Sequence, residues 1–110
     1  LDHQSEKSSI KSSDINTTLN AVWIFSWDHR EIIVNPQERK IAHTLSKPKA
    51  YAYLHTRSCL RSALSKLFRI PRLEIPLTAY PGKAPILKKG WGFTSLSHCK
   101  DAVLIGWSKE

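Results

Sequence analysis

The chain has 110 residues, of which 41% are hydrophobic and 24% charged, and this composition is typical of one small globular domain. It contains no apolar run as long as a membrane span, and its polar first residues lack the apolar core of a signal peptide. The net charge of +8 favours phosphate-bearing or acidic partners, and nucleic acid, a membrane surface, a nucleotide cofactor and an acidic protein all fit it.

The cysteine content points to a reducing compartment. Cys59 and Cys99 are too few for a disulfide framework, so we predict a cytoplasmic protein without membrane attachment. The sequence contains no methionine, and we therefore expect translation to begin upstream of Leu1.

The N-terminal segment is predicted to be a tail followed by a strand. Residues 1–20 are rich in Ser, Thr, Lys and Asp without periodicity, which is typical of a flexible polar tail. The folded domain should therefore cover residues 21–110. Its first element is the apolar and aromatic run 21–27, which favours a strand.

Two helices should follow this strand. Asn35 and Glu38 stand at the cap and capping-box positions of a short helix that should end near Leu45. A second helix is predicted over residues 48–68. It should end there because the residue before Pro71 avoids the helical region.

The second helix carries Arg57 inside its apolar face, four residues after Tyr53 and three before Leu60. An arginine on the buried side of a helix needs a partner. One interpretation is a side chain that snorkels past the core or pairs with a carboxylate. The other is an anion ligand that points into a cleft. The rest of this face consists of Ala50, Tyr53, Leu60, Ala63, Leu64, Leu67 and Phe68.

The remaining sequence predicts short strands and one turn. A type II turn over residues 80–83 should hold Lys83 at the surface. The unbroken apolar run 102–107 is typical of a strand covered on both faces. The other strands are predicted at 73–78, 84–87 and 93–96. The order of elements predicts an α+β fold, with a small and mainly antiparallel sheet packed with two helices.

Common catalytic and binding motifs are missing. No histidine is spaced from another His, Cys or carboxylate as zinc ligands are, and no phosphate-binding glycine pattern occurs. Ser97 and His98 are not a nucleophile and its base, because neighbours on a strand point to opposite faces. Basic residues on the helices, with Tyr51 and Tyr53 for stacking, would suit nucleic acid, but no recognised nucleic-acid motif frames them.

Four short segments are informative because of their order and spacing. They are 35–39 (Asn-Pro-Gln-Glu-Arg), 53–61 (Tyr-Leu-His-Thr-Arg-Ser-Cys-Leu-Arg), 82–87 (Gly-Lys-Ala-Pro-Ile-Leu) and 93–98 (Phe-Thr-Ser-Leu-Ser-His), the last followed by Asp101 and an apolar strand. Together they resemble the first half of a 4′-phosphopantetheinyl transferase of the surfactin-synthetase type. The resemblance covers most of the chain after the tail.

The resemblance implies a fold, a reaction and site residues. The family has two similar α+β halves with coenzyme A between them, and with magnesium it transfers the phosphopantetheine arm to a serine of an acyl or peptidyl carrier protein. Arg57 and Ser58 would contact the 3′-phosphate of coenzyme A. Lys83 would lie along its adenosine and phosphate end, and Ser97 and His98 would contact its phosphates.

Departures from the family pattern limit what this chain supplies. The family's Asn is replaced around Thr94 and Ser95, Pro85 comes one place late, and the first-helix lysines of some members have no clear match near Glu38 and Ile41. The Gly-x-Asp-x-Glu segment and the later elements, which supply the magnesium carboxylates and the base, are not in these residues. We therefore expect no catalytic or metal-binding residue here, and a complementary C-terminal half as partner.

Two other functions stay open. A basic binding module for nucleic acid or for an acidic protein is the alternative to the transferase, although nucleic acid is the less favoured partner. A structural fragment without ligand affinity is the third possibility.

Overall fold

A four-stranded antiparallel sheet packed against one long helix forms the frame of the domain. The computed structural model describes residues 6–8, 19–26, 31–78 and 83–110. The elements are β1 (Glu6–Ser8), β2 (Asn20–Ser26), α1 (Pro36–Ala42), α2 (Lys47–Phe68), β3 (Leu77–Thr78), β4 (Ile86–Leu87), β5 (Phe93–His98) and β6 (Ala102–Ser108). The predicted class, α+β with a small antiparallel sheet and two helices, is confirmed.

The sheet has the strand order β1-β2-β6-β5, and every neighbouring pair is antiparallel. In the register, Ile105 of β6 stands opposite Trp23 of β2 on one side and opposite Leu96 of β5 on the other. Strands β3 and β4 form a separate two-stranded ribbon. Strands β2 and β6 thus form the centre of the sheet, and β5 lies at an edge.

The core lies between α2 and one face of the sheet. On the sheet, alternate residues of β2 and β6 point inward, as expected from the period of two along a strand. Phe68 at the end of α2 packs against Trp91 and Trp107, with ring centroids 4.8 and 5.8 Å apart. The fully or nearly fully buried apolar residues of this core include Ala21, Trp23, Phe25, Leu60, Leu64, Leu67, Val103, Ile105 and Trp107.

The prediction that β6 is covered on both faces is wrong for the described part of the chain. Leu104 is 45% exposed, and its neighbours on β2, Val22 and Ile24, are 44% and 47% exposed. The run 102–107 of β6 is apolar throughout because the residues of its outer face are also small or apolar, although only its inner face packs on α2.

The two helices begin as the sequence predicts. The Asn35 side chain accepts a hydrogen bond from the Glu38 backbone N–H at 2.8 Å, and the Glu38 carboxylate accepts from the Asn35 N–H at 2.8 Å. Helix α1 stops at Ala42, earlier than predicted, because the Leu45 N–H bonds the Ala42 carbonyl in a tighter turn. Helix α2 ends at Phe68 as predicted, with Arg69 in the left-handed region.

Other boundaries differ from the sequence predictions. The predicted tail contributes β1, which pairs with β2 and covers backbone groups that would otherwise lie at an edge. In the predicted strand 73–78, a 3-10 turn at Arg72–Glu74 precedes the two-residue β3. The central residues of the predicted turn at 80–83 lie outside the described residues, as does the last residue of the strand predicted at 21–27.

Cys59 is buried and Cys99 is exposed. Within the described ranges, no helix combines the length and the apolar character that crossing a membrane requires.

Candidate functional site

A cleft of about 600 Å³ opens between the first half of α2, the segment that leads into β4, and the end of β5. Four of its lining residues can carry positive charge: Lys49, Arg57, Lys83 and His98. Among the described residues that line it, none has a carboxylate. The cleft is therefore suited to an anion.

One wall of the cleft is a row of side chains on α2. Lys49, Tyr53 and Arg57 follow each other at intervals of four residues, so they stand above one another on one side of the helix. Tyr53 and Arg57 are only 6% and 4% exposed, whereas Lys49 is exposed. This row of side chains thus extends from the exposed cation Lys49 at the rim to the buried cation Arg57 deep in the cleft.

Arg57 is held by the residue one turn before it. Its guanidinium carbon lies 4.8 Å from the centre of the Tyr53 ring, a cation–π distance. Burial lowers the pKa of Arg57, and the charge of Tyr53, its hydrogen bond and the charge of Glu38 oppose this effect. Burial raises the pKa of Tyr53, and Arg57 opposes that shift. Since an arginine starts from a very high pKa, the cleft contains a partly desolvated positive charge at neutral pH.

The opposite wall comes from β5 and from the segment before β4. Leu96 and His98 alternate along β5 and lie on the helix side of the sheet, where Leu96 packs against the core. Lys83 precedes β4, whose position is fixed by pairing with β3 and by a hydrogen bond from the Lys88 N–H to the Pro76 carbonyl. Arg57, Lys83 and His98 therefore come from three separate segments and line one cleft.

The other two residues predicted to bind coenzyme A lie elsewhere. Ser58 is 3% exposed, and its hydroxyl accepts a hydrogen bond from the Ile33 backbone N–H at 2.9 Å. Ser97 is exposed on the face of β5 opposite to His98, in register with Leu104. Neither residue is part of the cleft lining. As the sequence predicts, Ser97 and His98 point to opposite faces and are not a nucleophile and its base.

Sequence reasoning did not assign Lys49 or Tyr53 to the site. In the sequence, Lys49 is one of many basic helical residues, and Tyr53 is both a member of the apolar face and a candidate for stacking on nucleic-acid bases. The signal that could have found both was their spacing of eight and four residues from Arg57.

A second buried arginine, Arg61, supports the fold next to the cleft. It is 0% exposed and its Nε donates to the Glu38 carboxylate at 2.9 Å. Its Nη1 donates to the carbonyls of Arg72 and Ile75 at 3.0 and 3.2 Å. This side chain ties α1, α2 and the 3-10 turn together, and so fixes the helix on which Arg57 stands.

Comparisons with protein-family models, with curated proteins and with solved structures find no match to this chain.

Proposed function

We propose that this chain binds coenzyme A in the cleft and forms the coenzyme A-binding, N-terminal half of a 4′-phosphopantetheinyl transferase. The observation that carries the proposal is the convergence of Arg57, Lys83 and His98 in one cleft whose described lining has no carboxylate. These residues are distant in the sequence, and the family resemblance assigns all three to coenzyme A. Basic side chains usually lie apart from one another in solvent. The convergence of these three residues in one cleft therefore supports a common ligand.

In the proposed reaction, a serine hydroxyl of the carrier protein attacks the β-phosphorus of coenzyme A. A base in the complementary half would take the hydroxyl proton as the new oxygen–phosphorus bond forms, and the bond from the β-phosphorus to the bridging oxygen breaks to release adenosine 3′,5′-bisphosphate. Arg57, Lys83 and His98 would hold the departing nucleotide in line and stabilise its charge. Hydrogen bonds from charged donors to phosphate oxygens are strong, especially from a partly desolvated guanidinium such as that of Arg57.

Magnesium would neutralise the pyrophosphate charge in this reaction. Within the described part of the chain, no three His, Cys, Asp or Glu residues come together to hold a metal ion. We assign the metal ligands and the base to a complementary half, as the family resemblance implies.

Titration calorimetry with coenzyme A tests the binding step. We expect Lys83→Ala and His98→Ala to weaken binding about 10-fold or more, as expected for the loss of a charge-assisted hydrogen bond. The matched controls are Lys88→Ala and His43→Ala, which remove exposed side chains outside the cleft lining. Equal effects of site and control variants would contradict the proposed site.

Mass spectrometry of an apo carrier protein tests the transfer step. With coenzyme A, magnesium and a complementary C-terminal half, the carrier should gain one phosphopantetheine arm. No gain with both halves present would contradict the transferase. Salt-sensitive binding of an oligonucleotide that survives Lys83→Ala and His98→Ala would favour the nucleic-acid module instead.

A further inference from the structure

The family resemblance implies that Ser58 joins Arg57 at the 3′-phosphate of coenzyme A, but the Ser58 hydroxyl has another partner in this structure. The Ser58 hydroxyl instead accepts the Ile33 N–H at 2.9 Å and is 3% exposed. It holds the segment that leads into α1 and does not face the cleft.

Lys49 lines the same wall of the cleft as Arg57. The Arg57 guanidinium lies back over Tyr53, one turn nearer the start of α2 than its own backbone. Lys49 is four residues before Tyr53, which is about 6 Å along the helix axis. A lysine carries its ammonium on a flexible four-carbon stem, so Lys49 can extend to a phosphate that Arg57 holds in the same cleft.

Helix α1 does not offer a competing cation on this side. Arg39, Lys40 and His43 line a different hollow, together with Val34, Pro36 and Leu73. Glu38 is buried and accepts from Arg61, and its carboxylate is not part of the cleft lining. Among the described residues of the two helices, Lys49 is thus the cation that shares the cleft with Arg57.

From this arrangement we infer that Lys49, and not Ser58, is the second contact of the 3′-phosphate, and that it determines the preference for coenzyme A over 3′-dephospho-coenzyme A. The inference depends on the proposed function. Because Lys49 is exposed and flexible, it acts on affinity and selectivity and does not stabilise the fold.

The test compares the affinities of the 110-residue chain for coenzyme A and for 3′-dephospho-coenzyme A by titration calorimetry. The wild type should bind coenzyme A more tightly. In Lys49→Ala the affinity for coenzyme A should fall about 5- to 10-fold, with little change for the dephospho form, because the charge-assisted contact exists only with the 3′-phosphate. Lys47→Ala is the matched control, since Lys47 is exposed on the same helical turn and outside the cleft lining.

Ser58→Ala separates the two possible contacts. We expect it to lower the midpoint of thermal unfolding and to leave the ratio of the two affinities unchanged. A ratio that falls in Ser58→Ala, or that stays the same in Lys49→Ala, would overturn the inference. Wild-type binding of both ligands with equal affinity would overturn it too, while the proposed function would stand. Binding of neither ligand would overturn the proposed function and the inference together.

Discussion

Two arginines four residues apart on α2 have opposite surroundings. Arg61 is 0% exposed and donates to the Glu38 carboxylate and to two backbone carbonyls. Arg57 is 4% exposed and packs on the Tyr53 ring at the bottom of a cleft whose described lining has no carboxylate. The first guanidinium connects parts of the fold, and the second faces a space that an anion can enter.

The difference shows that burial by itself does not tell a structural arginine from a binding one. A buried charge must be compensated, but the compensation can come from the fold or from a ligand. Arg61 has its acceptors within the domain. For Arg57, the proposed ligand would add an anion to the contacts that the side chain already makes with the fold.

The largest loss of stability should come from breaking the ion pair between Arg61 and Glu38. Glu38→Ala leaves a buried guanidinium without its carboxylate and removes the α1 capping box, so we expect a loss of about 3–5 kcal/mol in the free energy of unfolding. Urea unfolding measures it. Glu31→Ala, at an exposed position, is the control and should change stability by less than about 0.5 kcal/mol. A small effect of Glu38→Ala on the free energy of unfolding would contradict the structural role that distinguishes Arg61 from Arg57.

Removing both partners of the pair should be milder than removing one. In Glu38→Leu with Arg61→Met, neither charge is left buried, and apolar replacements of buried ion pairs are often neutral or stabilising. We expect the double variant to recover at least about 2 kcal/mol relative to Glu38→Ala in the same unfolding experiment. No recovery would mean that the hydrogen bonds to the Arg72 and Ile75 carbonyls matter more than the ion pair.

At Arg57 the same kind of change should affect binding more than stability. Replacing a buried charge by an apolar side chain of similar volume is often neutral, so Arg57→Met should change the free energy of unfolding by less than about 1 kcal/mol. Coenzyme A affinity should fall at least 10-fold, or about 1.4 kcal/mol. Calorimetry and urea unfolding on one sample give both numbers. A large stability loss with unchanged affinity would place Arg57 with Arg61 as a structural residue.

The smallest effect concerns Tyr53, the aromatic partner of Arg57. Its pKa is raised by burial, so above its ordinary value of about 10 the unfolded chain loses this proton while the folded chain keeps it. Stability should therefore fall as the pH rises from 9 to 11, and Tyr53→Phe should reduce the fall. Thermal unfolding at both pH values measures it. The control Tyr51→Phe removes an exposed phenol from the same helix and keeps the Tyr53–Arg57 contact. If both variants reduce the fall in stability equally, the fall does not originate from Tyr53.

Local sequence patterns were sufficient to predict the elements whose boundaries depend on neighbouring residues. The capping box of Asn35 and Glu38 defined the start of α1, and Pro71 limited α2 to its observed end. The apolar runs predicted β2 and β6, and the order of elements predicted the α+β class. Each of these features depends on residues close in the chain, which a pattern can reveal.

The set of residues that line the cleft depends on how the helices pack on the sheet. Arg57, Lys83 and His98 line one cleft because α2 packs on the sheet face to which His98 points, whereas Ser97 points to the other face and Ser58 bonds a backbone amide. The pairing of Glu38 with Arg61 also spans 23 residues and follows no local pattern. Such contacts depend on helix rotation and strand register, which the packing of the whole domain sets.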